Sequence, residues 1–403
     1  MVKRAHTMLD VLRRHIPLLF ANHVLGSFAF YGSQPVFAVI AIRVTGSMLA
    51  GGVVIALTFV PVIIAAPLAS ALADRFPRRT LLFLADAGRA LAVVVLFFDG
   101  GIEALYSATF VLAACNCLGG IARGAVLPSM VPAELIPTGN ALLTLAGSIG
   151  RVAGPALLGA ALEVLGWRLC YVILSACFAI AAAAVLGVRA VRPEAPRAER
   201  NLEYAWGGFR YGFSQPIIRI IFVSSVLYFF AGGAINVLQM TLSERVMGMG
   251  ATAYGLIMSL WALGLTLGSL GATNAATGGT LRGYISGTAL AGAAMGFMGI
   301  LPQLWYVLAL SAVGGFAETF RVVAASTLKQ DLTPDGLRGR VFGAFAWVAA
   351  LSGGLGCILA PRLAILVSLP VGFLIMGVVS ASGGLLAVFM ASRVKASSAR
   401  VTA

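Results

Sequence analysis

Charge is scarce in this sequence. Its 403 residues carry 28 Lys or Arg and 14 Asp or Glu, a tenth of the chain, where soluble proteins hold about a quarter. Lysine occurs only at Lys3, Lys329 and Lys395, and there is no G-x-x-x-x-G-K-[ST] run. That excludes a phosphate-cradling loop, and with it ATP as an energy source within the chain. His6, His15 and His23 all lie near the N-terminus, so no zinc-hydrolase spacing exists. The cysteines are odd in number, and Cys115, Cys117, Cys170, Cys177 and Cys357 all fall in apolar runs. They read as packing residues rather than a disulfide framework or metal site, and no cofactor is expected. No catalytic constellation remains, so an enzyme is not expected.

Apolar residues make up 60% of the chain. No Asp, Glu, Lys or Arg occurs between Arg43 and Asp74, Arg219 and Glu244, Arg245 and Arg282, Gly283 and Ala317, or Arg362 and Arg393. Each run exceeds the 18 or so residues that suffice to span a bilayer. Spans this long exclude a porin-like barrel, whose strands are short and alternate apolar with polar. Lys3 to Arg14 followed by Ile16 to Ile42 imitates a secretory signal, but the core is too long and no A-x-A site follows.

Dividing the runs at Gly, Pro and charge clusters predicts twelve helices, at 16–42, 46–72, 80–98, 103–126, 138–163, 167–188, 216–242, 252–274, 283–301, 304–328, 339–362 and 367–392. The expected class is an all-α membrane protein of two pseudo-symmetric six-helix bundles, 16–189 and 216–392. An N-terminal tail (1–15), a linker (190–215) and a C-terminal tail (393–403) complete it. In the linker, Leu202, Trp206, Phe209 and Phe213 fall at i, i+4, i+7 and i+11, the spacing of a helix lying in the membrane interface.

Of the basic residues, 20 lie on the side of the termini, four opposite (Arg43, Arg168, Arg245, Arg362) and four inside helices. This bias puts both termini in the cytoplasm. It accounts for the net charge of +14 without a nucleic-acid partner, the basic side facing anionic lipid headgroups. Preference for Arg over Lys and short loops point to a bacterial inner membrane.

The two halves repeat at an offset of 202. LPSMVPAELIP (127–137) aligns with KQDLTPDGLRG (329–339), Gln34 falls on Asn236, and Gly52 lies close to Gly255. Paired bundles with a site between them suit alternating access to a midplane cavity.

Ionisable residues within spans mark function. Glu318 and Arg321 lie one turn apart near mid-span, and Glu318 is the first choice for a proton carrier, with permanent neutralisation by Arg321 or Arg151 as the alternative. His23 is a second proton-relay candidate. Asp86 and Arg89 share the i, i+3 spacing nearer the cytoplasmic end, where a pair would brace a gate; Arg123 would join them or hold an anionic substrate. Polar and aromatic positions on the inward stripes give a candidate cavity: Asn22, Tyr31, Gln34, Asn116, Arg151, Tyr228, Asn236, Gln239 and Trp261. Such a lining suits an amphipathic or aromatic molecule better than a sugar or a metal ion.

LADRFPRRTLL (72–82) resembles the loop motif G-x-x-x-D-R-x-G-R-R of major facilitator superfamily transporters, departing at Ser70 and Pro77. ADAGRAL (85–91), ARGAVLPSMVPAELIPTGNALL (122–143), GRVAGPALLG (150–159), GFRYGFSQPIIR (208–219), AYGLIMSLWALG (253–264) and LTPDGLRGRVFG (332–343) are similar to the enterobactin-exporter-like branch of that superfamily. The resemblance implies a cytoplasmic latch at Asp74, Arg75, Arg78 and Arg79, although these residues would serve equally as a topology signal. It also implies that Gly150, Gly154 and Pro155 form the helix-packing motif of exporters. The expectation is a monomeric, proton-coupled exporter of siderophore-like or drug-like molecules. Uptake or facilitated diffusion of a metabolite by the same fold is the alternative, and a non-transporting receptor a more distant one.

Overall fold

Turn residues divide the chain where their backbone chemistry dictates. In the computed structural model, which describes residues 8–14, 16–64, 76–98, 101–188, 202–272 and 281–401, helix α2 (Pro17–Thr45) follows a short α1 (Met8–Arg14). Gly46 ends α2 at φ 69°, its N–H donating to the Ile42 carbonyl, the left-handed cap that glycine adopts without a Cβ penalty. Ser47 then caps α3 (Met48–Leu57) by accepting from the Leu49 N–H.

The chain continues through α4 (Arg78–Phe98), α5 (Ile102–Val126), α6 (Ile136–Leu186), α7 (Leu202–Ser214), α8 (Pro216–Thr241), α9 (Gly250–Ala272), α10 (Leu281–Phe297), α11 (Leu304–Asp331), α12 (Asp335–Leu366) and α13 (Leu369–Val401). The 51-residue α6 is folded at Gly166, whose φ of 79° and ψ of 170° break the helix into 136–165 and 167–186. Nine helices among the described residues are long and apolar enough to cross a bilayer. The division at Gly166, the shorter apolar helix Met48–Ile64 and α10 add further apolar helical segments, and the expected helix at 46–72 runs past residue 64 into positions outside the described residues. Apolar side chains such as Leu91, Leu157, Val164 and Leu385 point outward and exposed, as a hydrocarbon solvent permits.

Two expectations change at the ends. The segment before residue 16 is not a plain tail: Val11 of α1 is buried with Ile16, Leu19 and Leu82. At the other end α13 runs on to Val401 rather than stopping at 392.

Helix α2 packs on α6, and α4 on α5 and α6; in the second half α8 packs on α12 and α13, α10 on α11 and α13, and α9 on α11. The halves meet where α9 lies on α6 and α12 on α3.

Bare backbone makes these contacts, and it does so twice. A Cβ at Gly154 would strike the Phe28 carbonyl oxygen and stand 3.1 Å from the Gly32 nitrogen; one at Gly356 would strike the Phe230 carbonyl oxygen and stand 3.0 Å from the Ala234 nitrogen. All three positions repeat at an offset of 202. The seams between halves match as well, with Gly52 against the Cys357 carbonyl and Gly255 against that of Pro155. Cys357 is itself 202 residues after Pro155.

Residues Leu202–Ser214 of the linker form helix α7. Gly208 rests on the Arg340 backbone, the Tyr211 hydroxyl donates to the Leu332 carbonyl at 2.7 Å, and Phe209 stacks against Phe222 and Trp347, while Trp206 is left exposed.

Candidate functional site

Where the halves meet they enclose a cavity of about 300 Å³. Its walls come from α2 (Tyr31, Gln34), Phe59, α6 (Arg151, Pro155), α8 (Tyr228, Phe229, Asn236, Gln239), α9 (Met258, Trp261, Leu265), Met295 of α10, Glu318 of α11 and Gly353 of α12. Seven of the nine expected cavity residues therefore face one space, with Glu318 among them. Asn22 and Asn116 do not line it. The lining includes pairs related by the 202-residue offset: Gln34 with Asn236, Phe59 with Trp261, Tyr31 with Gly233, and Arg151 with Gly353.

Glu318 is held from two sides. Trp261 lies flat on α11 because Gly314 and Gly315 carry no side chain; a Cβ at Gly314 would stand 2.8 Å from its Cη2. One turn further along, the indole Nε1 donates to Glu318 Oε2 at 2.7 Å, while Arg321 Nη2 donates to Oε1 at 2.8 Å. Arg321 is buried, its guanidinium 3.9 Å from the centre of the Tyr228 ring and 5.0 Å from that of Phe229, so aromatic faces replace part of its lost hydration. Of the two partners the sequence offered for Glu318, the structure selects Arg321. Arg151 stacks instead over the Tyr31 ring at 4.8 Å and forms no ion pair among the described residues.

A second polar cluster lies within the first half, away from the cavity. Asp86 and Arg89 form a buried ion pair. Asn22 Nδ2 donates to Asp86 Oδ2 at 2.6 Å and to the Ala181 carbonyl at 2.9 Å, and Arg89 lies over the Phe178 ring at 4.9 Å. Asn22 thus braces α2 against α4 and α6 rather than meeting substrate, because a buried carboxylate needs its donors close. His23 also sits here and not beside Glu318. Its Nδ1 lies 2.7 Å from Arg123 Nη1 and 3.2 Å from Ser27 Oγ, in space left by Gly147. Since arginine only donates, Nδ1 accepts and the ring proton sits on Nε2.

Arg79 donates to the Leu186 carbonyl, and Arg78 opens α4. Asp74 and Arg75, the rest of the expected latch, lie outside the described residues. Gly150 stands where a Cβ would come 2.5 Å from both the Phe28 nitrogen and Ser27 Cβ. Beside Pro155, the Ala156 N–H donates to Ser259 Oγ of α9 at 3.0 Å.

Sequence reasoning missed a clasp at the end of the molecule away from the termini. Arg43 at the end of α2 reaches Glu163 at 2.8 Å and Glu244 at 2.9 Å, Glu163 also accepts from the Ala251 N–H, and Arg245 donates to the Gly46 carbonyl. Each bond but the Arg43 to Glu163 pair crosses between the halves. The one available signal was that Glu163 and Glu244 sit at helix ends on the side where positive charge is sparse.

The sequence profile of the Major Facilitator Superfamily matches residues 19–298. The enterobactin exporter EntS of Escherichia coli is 26% identical over 306 residues, covering 72% of this chain and 73% of its own length. The multidrug efflux pump Tap of Mycolicibacterium fortuitum is 25% identical over 371 residues, covering 88% and 90%. Among solved structures, a POT family transporter in complex with a thioalcohol-conjugated peptide superposes with a TM-score of 0.77 at 12% identity over 94% of this chain and 96% of its own. The nucleoside transporter NupG gives 0.71 at 16% identity over 93% and 98%. With the family profile spanning more than half its length and the same architecture in solved transporters, the chain belongs to the Major Facilitator Superfamily and is a membrane transporter.

Proposed function

We propose that this transporter exports a small organic molecule, siderophore-like or amphipathic and drug-like, across the bacterial inner membrane by proton antiport, working as a monomer. The carrying observation is the cavity on the junction of the halves, built from residues paired across the internal repeat. A site with equivalent walls on both halves lets either face swing away while the other keeps its contacts. Names of the relatives and the Gly150, Gly154, Pro155 motif support the outward direction.

Both termini are read as cytoplasmic, the two bundles as residues 16–189 and 216–392, and all twelve segments as crossing. In that orientation the clasp at Arg43, Glu163 and Glu244 ties the helix ends together on the outer side. The cluster of Asp86, Arg89, Arg123, Asn22 and His23 then stiffens the inner part of the first half.

Glu318 is the proposed proton carrier. As a carboxylate it accepts from Trp261 of α9 and from Arg321 on its own helix. Taking up a proton removes the negative charge and turns one oxygen into a donor, so the bonds from these two partners weaken. Protonation is thereby tied to the seating of α9 on α11, beside the wall that substrate touches. His23 and its Arg123 bond form a separate proton-sensitive pair serving the inner gate.

The test uses full-length protein in liposomes with an imposed pH gradient, offered enterobactin and a set of lipophilic dyes. Accumulation should follow the gradient for at least one of them. Glu318→Gln should abolish gradient-driven accumulation while leaving solute exchange intact. Unchanged accumulation rejects Glu318 as the carrier, and no gradient-linked movement of any solute rejects antiport.

A further inference from the structure

The two halves of the cavity differ in one respect that helix packing does not demand. Where α2 and α6 present Tyr31 stacked with Arg151, the positions 202 residues on are Gly233 and Gly353, which close α8 on α12 backbone to backbone. The second seam shows that these positions need no side chains to pack. Closeness of α2 to α6 is supplied by Gly150 and Gly154 in any case.

Charge in the cavity is correspondingly one-sided. Both oxygens of Glu318 are taken, by Trp261 and Arg321, and that ion pair is neutral. Arg151 is exposed to the cavity and forms no ion pair among the described residues. Its guanidinium carbon lies 4.8 Å from the centre of the Tyr31 ring, and the planar N–H groups of a guanidinium match a carboxylate or similar oxyanion in a fork. A charge left unpaired at this depth is costly unless it is wetted or met by an opposite charge.

Opposite charge is what the rest of the wall leaves room for. Phe59, Phe229 and Trp261 offer ring surface, Gln34, Asn236 and Gln239 offer amides, and among the described residues no carboxylate other than the occupied Glu318 lines the space. We propose that the cavity takes a planar aromatic anion, with its acidic group forked on Arg151 and its ring among Phe59, Phe229 and Trp261. This rests on the reading of the cavity as the transport site and adds to it the charge of the cargo. Arg151 is then the specificity residue, and the Glu318 pair stays free for the proton.

Three probes of one shape separate charge from surface: 2-naphthoate, 2-naphthylmethanol and 2-naphthylmethylammonium. Each is dialysed to equilibrium against full-length protein in lipid nanodiscs, with empty nanodiscs as background. 2-Naphthoate should bind about tenfold tighter than the alcohol, equivalent to about 1.4 kcal/mol, and the ammonium should bind weakest. Arg151→Gln should bring 2-naphthoate to the level of the alcohol measured on the same variant, and Arg151→Lys should keep part of the preference. The order of the three probes on the unaltered protein tests the idea even if a variant fails to fold. Tighter binding of the ammonium, or undiminished preference for 2-naphthoate in Arg151→Gln, overturns it. Gradient-driven transport that persists with no preference for the anion sinks this proposal alone. Anion preference without any gradient-linked transport sinks the antiport reading and leaves this one standing.

Discussion

At the scale of single residues, the first question is what happens to a buried polar group when its partner goes. Among the described residues Arg321 is the only cation bonded to Glu318, and it is itself enclosed by rings. Removing it strands a carboxylate, so Arg321→Ala should destabilise the fold by about 3–5 kcal/mol, seen as a fall in thermal unfolding temperature in detergent. Asn22 plays the quieter part for Asp86. Asn22→Leu removes one donor while the Arg89 ion pair remains, for a cost of about 1–3 kcal/mol. If Asn22→Leu proved neutral in stability yet altered substrate affinity, its assignment to the brace would be wrong. The sequence identified Glu318 and Arg321 as a pair because i, i+3 spacing puts both on one helix face. It grouped Asn22 with the cavity because polar stripes on one helix do not reveal which neighbouring helix each residue meets.

At the scale of elements, glycine spacing governs how closely helices approach. Gly154 and Gly356 hold equivalent seams, so Gly154→Leu and Gly356→Leu should each lower stability by at least about 1–3 kcal/mol, the usual cost of overpacking, and reduce the folded yield on size exclusion. Gly120→Leu, on α5 with no atom near its Cβ direction, is the matched control and should be close to neutral. Small-residue faces were legible in GRVAGPALLG. That Gly159 and Gly255 serve a different seam, the one between halves, was not, since a glycine carries no mark of its partner.

At the scale of the whole molecule, the clasp joins the two halves that also wall the cavity. Arg43, Glu163 and Glu244 are partly exposed, and exposed pairs contribute only about 0.2–1 kcal/mol each. Such a latch can tilt an equilibrium without locking it. Arg43→Gln should therefore raise the population open on that side by a few-fold, with spin labels at Val44 and Val246 reporting a longer distance. High salt should reproduce part of the effect in the unaltered protein, because screening weakens exposed pairs. An unchanged label distance in both cases would remove the clasp from the mechanism.

What the sequence determined alone is whatever depends on composition and period. Long uncharged runs require helices in a hydrocarbon solvent, and the 202-residue repeat announces two related halves. Only the tertiary structure decided which side chains share a space. It put Glu318 with Arg321 and Trp261, gave His23 to Arg123 and Asn22 to Asp86, set Arg151 over Tyr31, and joined Arg43 to two distant carboxylates. The physical reason is range. Periodicity is a property of neighbours along the chain, whereas ion pairs and cavity walls are made between helices up to 201 residues apart, whose relative rotation is set by packing that no single helix encodes.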